Sequence, residues 1–188
     1  QVHSTRRTGW SVANGQIDLA IIGGQLPSDL ENLLQVIPYA TDELALVLPT
    51  KHPLANKKEL MKEDLYKLNF VTLDSQSTTR KVVDKLLKDS GLDIQRLKIE
   101  MELNSLEAIK NAVQSGLGAS FLPVVSIERE LAGGSIHKPY LADLEVKREL
   151  KLITNPSRYT SRASDAFKKV ILPQFASNES PLKQNNLI

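Results

Sequence analysis

Three features of the sequence predict an α/β fold. Short apolar runs, "IDLAIIGG" and "ALVLP" among them, have the length of buried strands. The segments between them place apolar residues at helical spacing and end on glycine, at Gly15, Gly91 and Gly116. Strand and helix alternate almost throughout, the order that builds largely parallel sheets covered by helices.

The elements follow in order. "QVHST" (1–5) is strand-like, and "TGWSVANG" (8–15) reads as a short helix closed by Gly15. "QIDLAIIGG" (16–24) is a strand covered on both faces, and "DELALVLPT" (42–50) is another, followed by the loop "HPLANKK". "MKEDLYKL" leads into the strand "NFVTLD" (69–74), and a helix is expected over about 77–90, with Val82, Val83, Leu86 and Leu87 on one face. "LKIEMELN" (97–104) alternates like a strand. "SLEAIKNAVQSG" (105–116) is a helix whose apolar face carries Leu106, Ile109, Ala112 and Val113. "ASFLPVVS" (119–126) is a buried strand, "IEREL" one or two helical turns, "ELKLITN" (149–155) a late strand and "SRASDAFKKVILPQF" (161–175) a final amphipathic helix. The tail from 177 to 188 is polar, lacks periodicity and is expected to be mobile.

Composition sets outer bounds. The 188 residues suffice for one large domain or two small lobes, with 41% apolar and 24% charged residues. A net charge of +2, with no basic run interleaved with aromatics, argues against this segment gripping DNA by itself. No apolar run approaches the roughly 18 residues that span a bilayer. The absence of cysteine removes disulfides, thiolate nucleophiles and cysteine-held metals, and fits a reducing cytoplasm. His3, His52 and His137 are scattered without metal spacing or triad partners. No acid pair, Ser–His arrangement or Walker-type loop is present, so neither a cofactor, a metal nor turnover is expected.

One stretch asks for a ligand. The helix in "LDSQSTTRKVVDKLLKDSG" opens with Ser75, Ser77, Thr78 and Thr79, then Arg80 and Lys81, and its first carboxylate is Asp84. A helix N-terminus is the positive end of the macrodipole and leaves N–H groups free, so acids are expected there. Two cations make a poor start unless an anion visits. Hydroxyls, open backbone donors and an arginine offer a seat for a carboxylate or phosphate; a Ser/Thr cap beside solvated charges is the plainer alternative.

"GQIDLAIIGG", "DELALVLPTKHPLA" and "LNSLEAIKNAVQSGLGASFLP", in this order across about 8–172, resemble the effector-binding domain of LysR-type transcriptional regulators. "QVHSTRRTGWSVANGQIDLAIIGG", "LDSQSTTRKVVDKLL" and "LITNPSRYTSRASDAF" resemble more narrowly the branch that controls RuBisCO operons, inorganic-carbon uptake and NAD(P)H dehydrogenase genes. The resemblance implies two Rossmann-like lobes of the type 2 periplasmic-binding-protein kind. Lobe I would hold 1–38 plus 142–176 and lobe II 43–138, joined by a hinge at 39–42 and 139–141. A first strand and helix, a winged helix-turn-helix and a linker helix would lie upstream. The implied partners are operator DNA through that upstream domain, a second copy of this domain within a tetramer, and an anionic metabolite, with phosphoglycolate, 2-oxoglutarate, ribulose bisphosphate and NADPH as candidates. A transporter's solute-binding protein of the same fold is the alternative, but "STTRK" and "LNSLEA" match the regulators.

Carried over residue by residue, the cleft would be lined by Ser4, Thr5, Arg6, Gly23 and Gly24 from lobe I. Gln76, Ser77, Thr78, Thr79, Arg80, Asn104 and Ser105 would face them from lobe II. Asn104 followed by Glu107 also fits a capping box, which a helix start would use anyway. Arg158 and Arg162 around Tyr159 read as a solvated face or a subunit contact, and Trp10 as packing.

Overall fold

The computed structural model describes residues 4–172. The expected mobile tail, His3 and most of the strand-like "QVHST" lie outside the described residues.

The helices begin and end where local chemistry satisfies their free backbone groups. Helix α1 (Thr5–Ala13) starts three residues earlier than the apolar pattern suggests, because Ser4 accepts a hydrogen bond from the Arg7 amide. Its last turn is held from outside, by Asn155 Nδ2 and Arg158 Nε donating to the Ala13 carbonyl at 2.9 and 3.0 Å. Arg158 is thus a helix-end anchor, while Tyr159 beside it is 86% exposed. Trp10, expected to pack, lies instead at the surface. Strand β1 (Leu19–Ile22) and the single turn α2 (Ser28–Glu31) follow.

Strand β2 (Gln35–Pro49) is the long element of the molecule and begins seven residues before the expected strand. Pro38 hid this start, since proline cannot donate to a ladder; here the register shifts between Pro38 and Ala40, where that donor is not needed. Then come β3 (Asn69–Leu73), α3 (Thr78–Asp89), β4 (Lys98–Leu103), α4 (Leu106–Gln114) and β5 (Ser120–Pro123). The described residues continue through α5 (Glu128–Ala132), β6 (Ile136–His137), β7 (Lys147–Thr154) and α6 (Arg162–Ile171).

The expectation of largely parallel sheets is corrected. Strand β2 pairs antiparallel with β5, β6 and β7, and β1 pairs antiparallel with β7. Among the named strands only β3 and β4 run parallel. The reason is β2 itself: it runs through both halves of the molecule, so the chain returning along β7 must pair against its direction. Gly118 brings β3 to the lip of β5: a Cβ there would sit 2.7 Å from the Asn69 carbonyl oxygen, which accepts from Ala119 N.

Apolar burial falls on either side of this crossing. One side packs Leu44, Leu46, Leu60, Leu65, Phe70, Leu87 and Val146, with the Phe70 and Phe121 rings stacked at 6.2 Å, and beside them Val47, Val71, Ile109 and Leu122. The other packs Val12, Ile22, Leu30 and Ile153, with Ile37, Leu152 and Leu172 adjoining. Two lobes with separate cores leave a gap between them, and the starts of α1 and α3 meet across it.

Candidate functional site

The two helix starts touch directly. The Thr5 amide donates to Thr78 Oγ1 at 3.2 Å, and the two threonine hydroxyls are 3.3 Å apart. Neither helix has an acidic residue in its first turn. Ser77 stands at the N-cap of α3 without a side-chain cap bond, so the hydroxyl-cap alternative does not account for this start. The turn before it is held instead by Asp74 Oδ1, which accepts from Gln76 N at 2.9 Å. Two helix dipoles therefore point their positive ends at one place.

Gly24 makes that approach possible. A Cβ on Gly24 would lie 2.5 Å from the Thr78 methyl and 3.0 Å from Thr5 Oγ1. The strand end "IIGG" is a steric requirement of the gap rather than a loose loop.

Around this contact lies a cavity of about 670 Å³. Ser4, Thr5, Arg6, Gly23 and Gly24 line one wall, and Gln76 and Thr78 the other. Six cationic side chains, Arg6, Lys81, Lys85, Lys147, Arg148 and Lys151, border it against one carboxylate, Glu149. Most of these cations have only exposed partners: Arg6 with Asp29 at 3.1 Å, Lys81 with the Gln76 amide oxygen at 3.3 Å, Lys151 with Glu149 at 3.6 Å, and Lys85 with Asp89. Lys147 pairs with Glu145, which pushes its ammonium above its usual range. Exposed pairs contribute little net stabilisation, so a ligand anion can compete for these groups.

Not every expected residue reaches this cavity. Thr79 is one step farther along α3, where its hydroxyl accepts from Arg148 Nη1 at 2.8 Å. Arg80, expected to hold the anion, is already committed. Its Nε donates to both oxygens of Asp84 at 2.9 Å, and its Nη1 to Thr72 Oγ1, the Leu73 carbonyl and Glu102 Oε1. It borders a narrow space beside Phe70, Val83 and Leu87 inside lobe II. The cation at the head of α3 is thus neutralised by the protein's own acids, in part by the (i, i+4) carboxylate visible in the sequence. Asn104 and Ser105 are exposed and do not border the cavity. Ser105, not Asn104, caps α4 by accepting from Ala108 N, and Glu107 pairs with Lys110 instead of closing a capping box.

The sequence reading missed the β7 residues Lys147, Arg148 and Lys151 and Lys85 of α3, and it named Lys81 at the helix start without placing it in the cleft. Lys147, Glu149 and Lys151 alternate along a strand, but nothing local says which way the strand looks. Among the described residues no cluster of His, Asp and Glu could hold a metal ion. His52 Nδ1 accepts from Leu54 N as a local cap.

Known proteins share both the sequence and the shape. The family model described as "LysR substrate binding domain" matches residues 1–176. A "Probable RuBisCO transcriptional regulator" of Synechocystis sp. is 58% identical over 187 residues, covering 100% of this chain and 54% of the relative. One of the same description from Porphyra purpurea is 56% identical over 177 residues, covering 94% of this chain and 56% of the relative. The chain spans about half the length of such relatives. Among solved structures, the Synechocystis CcmR regulatory domain in complex with 2-PG superposes with a TM-score of 0.78 at 23% identity, over 95% of this chain and 83% of that one. The effector-binding domain of QuiR in complex with shikimate gives 0.75 at 23% identity, over 94% and 80%. These two share the fold, and with a family match that spans nearly the whole sequence, the chain belongs to the LysR substrate-binding domain family.

Proposed function

We propose that this chain is the metabolite-sensing part of a transcription regulator of carbon-fixation or inorganic-carbon-uptake genes, and that a small anion closes its two lobes. The observation that carries the reading is the cavity with six cations against one carboxylate, set where two acid-free helix starts converge. An anion there gains from backbone donors, hydroxyls and guanidinium groups together. The names of the relatives point to RuBisCO genes, and the 2-PG bound to the CcmR domain is itself a small anion. Phosphoglycolate, 2-oxoglutarate, ribulose bisphosphate and NADPH are the ligands to try.

In this reading β2 and β7 are the hinge. Leu141, Leu144 and Val146 pack on the lobe II core, so we place the second crossing near residue 147, with the first at 39–42. Ligand binding shifts the population toward closed lobes, by no more than its difference in affinity for the two states. The closed form then changes the geometry of an upstream DNA-binding domain in the cytoplasm. Phe167 and Val170, exposed on α6 at 46% and 77%, are candidates for pairing with a second copy. No turnover enters the scheme.

A thermal-shift panel of the four metabolites tests it. A ligand at 100 times its dissociation constant stabilises by about 2.7 kcal/mol. At least one metabolite is expected to do so, and Arg6→Ala/Thr78→Ala to abolish the shift. If none of the four shifts the chain, or the shift survives that double variant unchanged, the proposal fails.

A further inference from the structure

We infer that Arg148 is the anion-reading cation of the cleft, and that its grip on Asp42 ties cleft occupancy to the angle between the lobes. The inference rests on the anion-sensing function proposed above and names the residue through which it acts.

Asp42 on β2 and Arg148 on β7 stand directly opposite each other in register, on the two strands that carry the chain between lobes. Arg148 Nε donates to Asp42 Oδ2 at 2.8 Å and Nη2 reaches the same oxygen at 2.6 Å. The pair is largely out of water, with side-chain exposures of 14% for Arg148 and 7% for Asp42. Its third arm, Nη1, donates to Thr79 Oγ1 on α3. The same group lies against lobe I, where a Cβ on Gly23 would be 3.2 Å from Nη1. One rigid guanidinium therefore bonds to the crossing strand and to the head of the lobe II helix, and lies where a side chain on Gly23, after β1, would meet it.

An arginine has five N–H donors in a fixed plane, and the bonds described use three of them. The remainder belong to a side chain in the cavity wall, suited to a carboxylate or phosphate. The lysines around the cavity are different. They are long, mobile and partnered by exposed neighbours, so they supply a positive field without direction. Arg148 supplies direction, because its plane is fixed by a buried carboxylate. An anion that draws Nη1 from Thr79 turns that plane against Asp42. Asp42 sits inside a paired strand rather than a loop, so the turn passes to the strands joining the lobes.

The test titrates the whole chain with the four metabolites by calorimetry and follows lobe closure by small-angle scattering with and without ligand. Arg148→Lys keeps the charge and loses the fork, and is expected to bind about tenfold more weakly. Asp42→Asn keeps an acceptor oxygen but loosens the guanidinium plane, so it is expected to bind more weakly than the unaltered chain and, at saturating ligand, to lose the ligand-induced compaction. A merely structural pair would lower the melting temperature and leave compaction intact. Undiminished affinity in Arg148→Lys, or full compaction in Asp42→Asn, overturns the inference while the sensing function stands. If the unaltered chain binds none of the four, the sensing function fails first and this inference with it. Should Arg148→Lys not fold, Asp42→Asn/Arg148→Gln removes both charges together and must show both losses.

Discussion

Gly24→Ala tests whether the cleft depends on the direct meeting of α1 and α3. Gly24 does not adopt a positive φ, so alanine brings no backbone strain and, by restricting the unfolded chain, stabilises by up to about 1 kcal/mol. The cost lies across the gap. The new Cβ would sit 2.5 Å from the Thr78 methyl, against about 3.5–4.0 Å for carbon atoms in contact. Relief requires turning Thr78 or parting the lobes, and either breaks the two contacts between Thr5 and Thr78. At about 1 kcal/mol each, that is about 2 kcal/mol against the closed form. If closure accompanies binding, affinity falls about thirtyfold. Calorimetry with a binding metabolite measures the loss, and urea unfolding without ligand is expected to show no destabilisation, since the lobe cores are separate. Thr78→Ser in the Gly24→Ala background removes the offending methyl and keeps the hydroxyl, so affinity returns. Wild-type affinity in Gly24→Ala, or no recovery in the double variant, would refute the argument.

Three further outcomes are expected. Arg80→Ala leaves Asp84 and Glu102 without their shared cation, lowering stability in urea by about 1–2 kcal/mol, while a saturating ligand still produces its full thermal shift. Asp64 is held well below the usual carboxylate range, first by Lys57, then by Lys67 and the Met61 amide. Its folded pKa is depressed, so its contribution is complete above the unfolded value near 4 and is lost as pH falls below that. Asp64→Asn is therefore less stable than the unaltered chain at pH 7 in denaturant titrations, and the difference shrinks as pH drops below about 4. Lys110 pairs with Glu107 of its own helix α4, reaches Glu130 on α5 and the Ser126 carbonyl before it, and both carboxylate partners raise its pKa. Lys110→Met leaves Glu130 without its cation and is expected to lower the urea midpoint of unfolding. Lys110→Met/Glu130→Gln recovers part of that loss.

The sequence alone determined α1, α3, α4 and α6 and most of the described strands, because helical spacing, alternation and glycine stops depend only on near neighbours along the chain. It also picked out the head of α3, since hydroxyls and missing acids at an N-terminus are local facts, whereas the head of α1 was expected at residue 8 and its cleft residues, with Gly23 and Gly24, came from the family resemblance. Tertiary structure decided strand direction and which arginine of the two borders the cleft. The antiparallel sheet follows from β2 running through both lobes, and its start was masked by Pro38, a residue that ordinarily ends a strand. Arg80 sits within a turn of Asp84 and is neutralised there; Arg148 finds Asp42 from 106 residues away and Thr79 from 69. A charge's partner is set by distance in space, and for residues on different elements that distance exists only once the chain has folded.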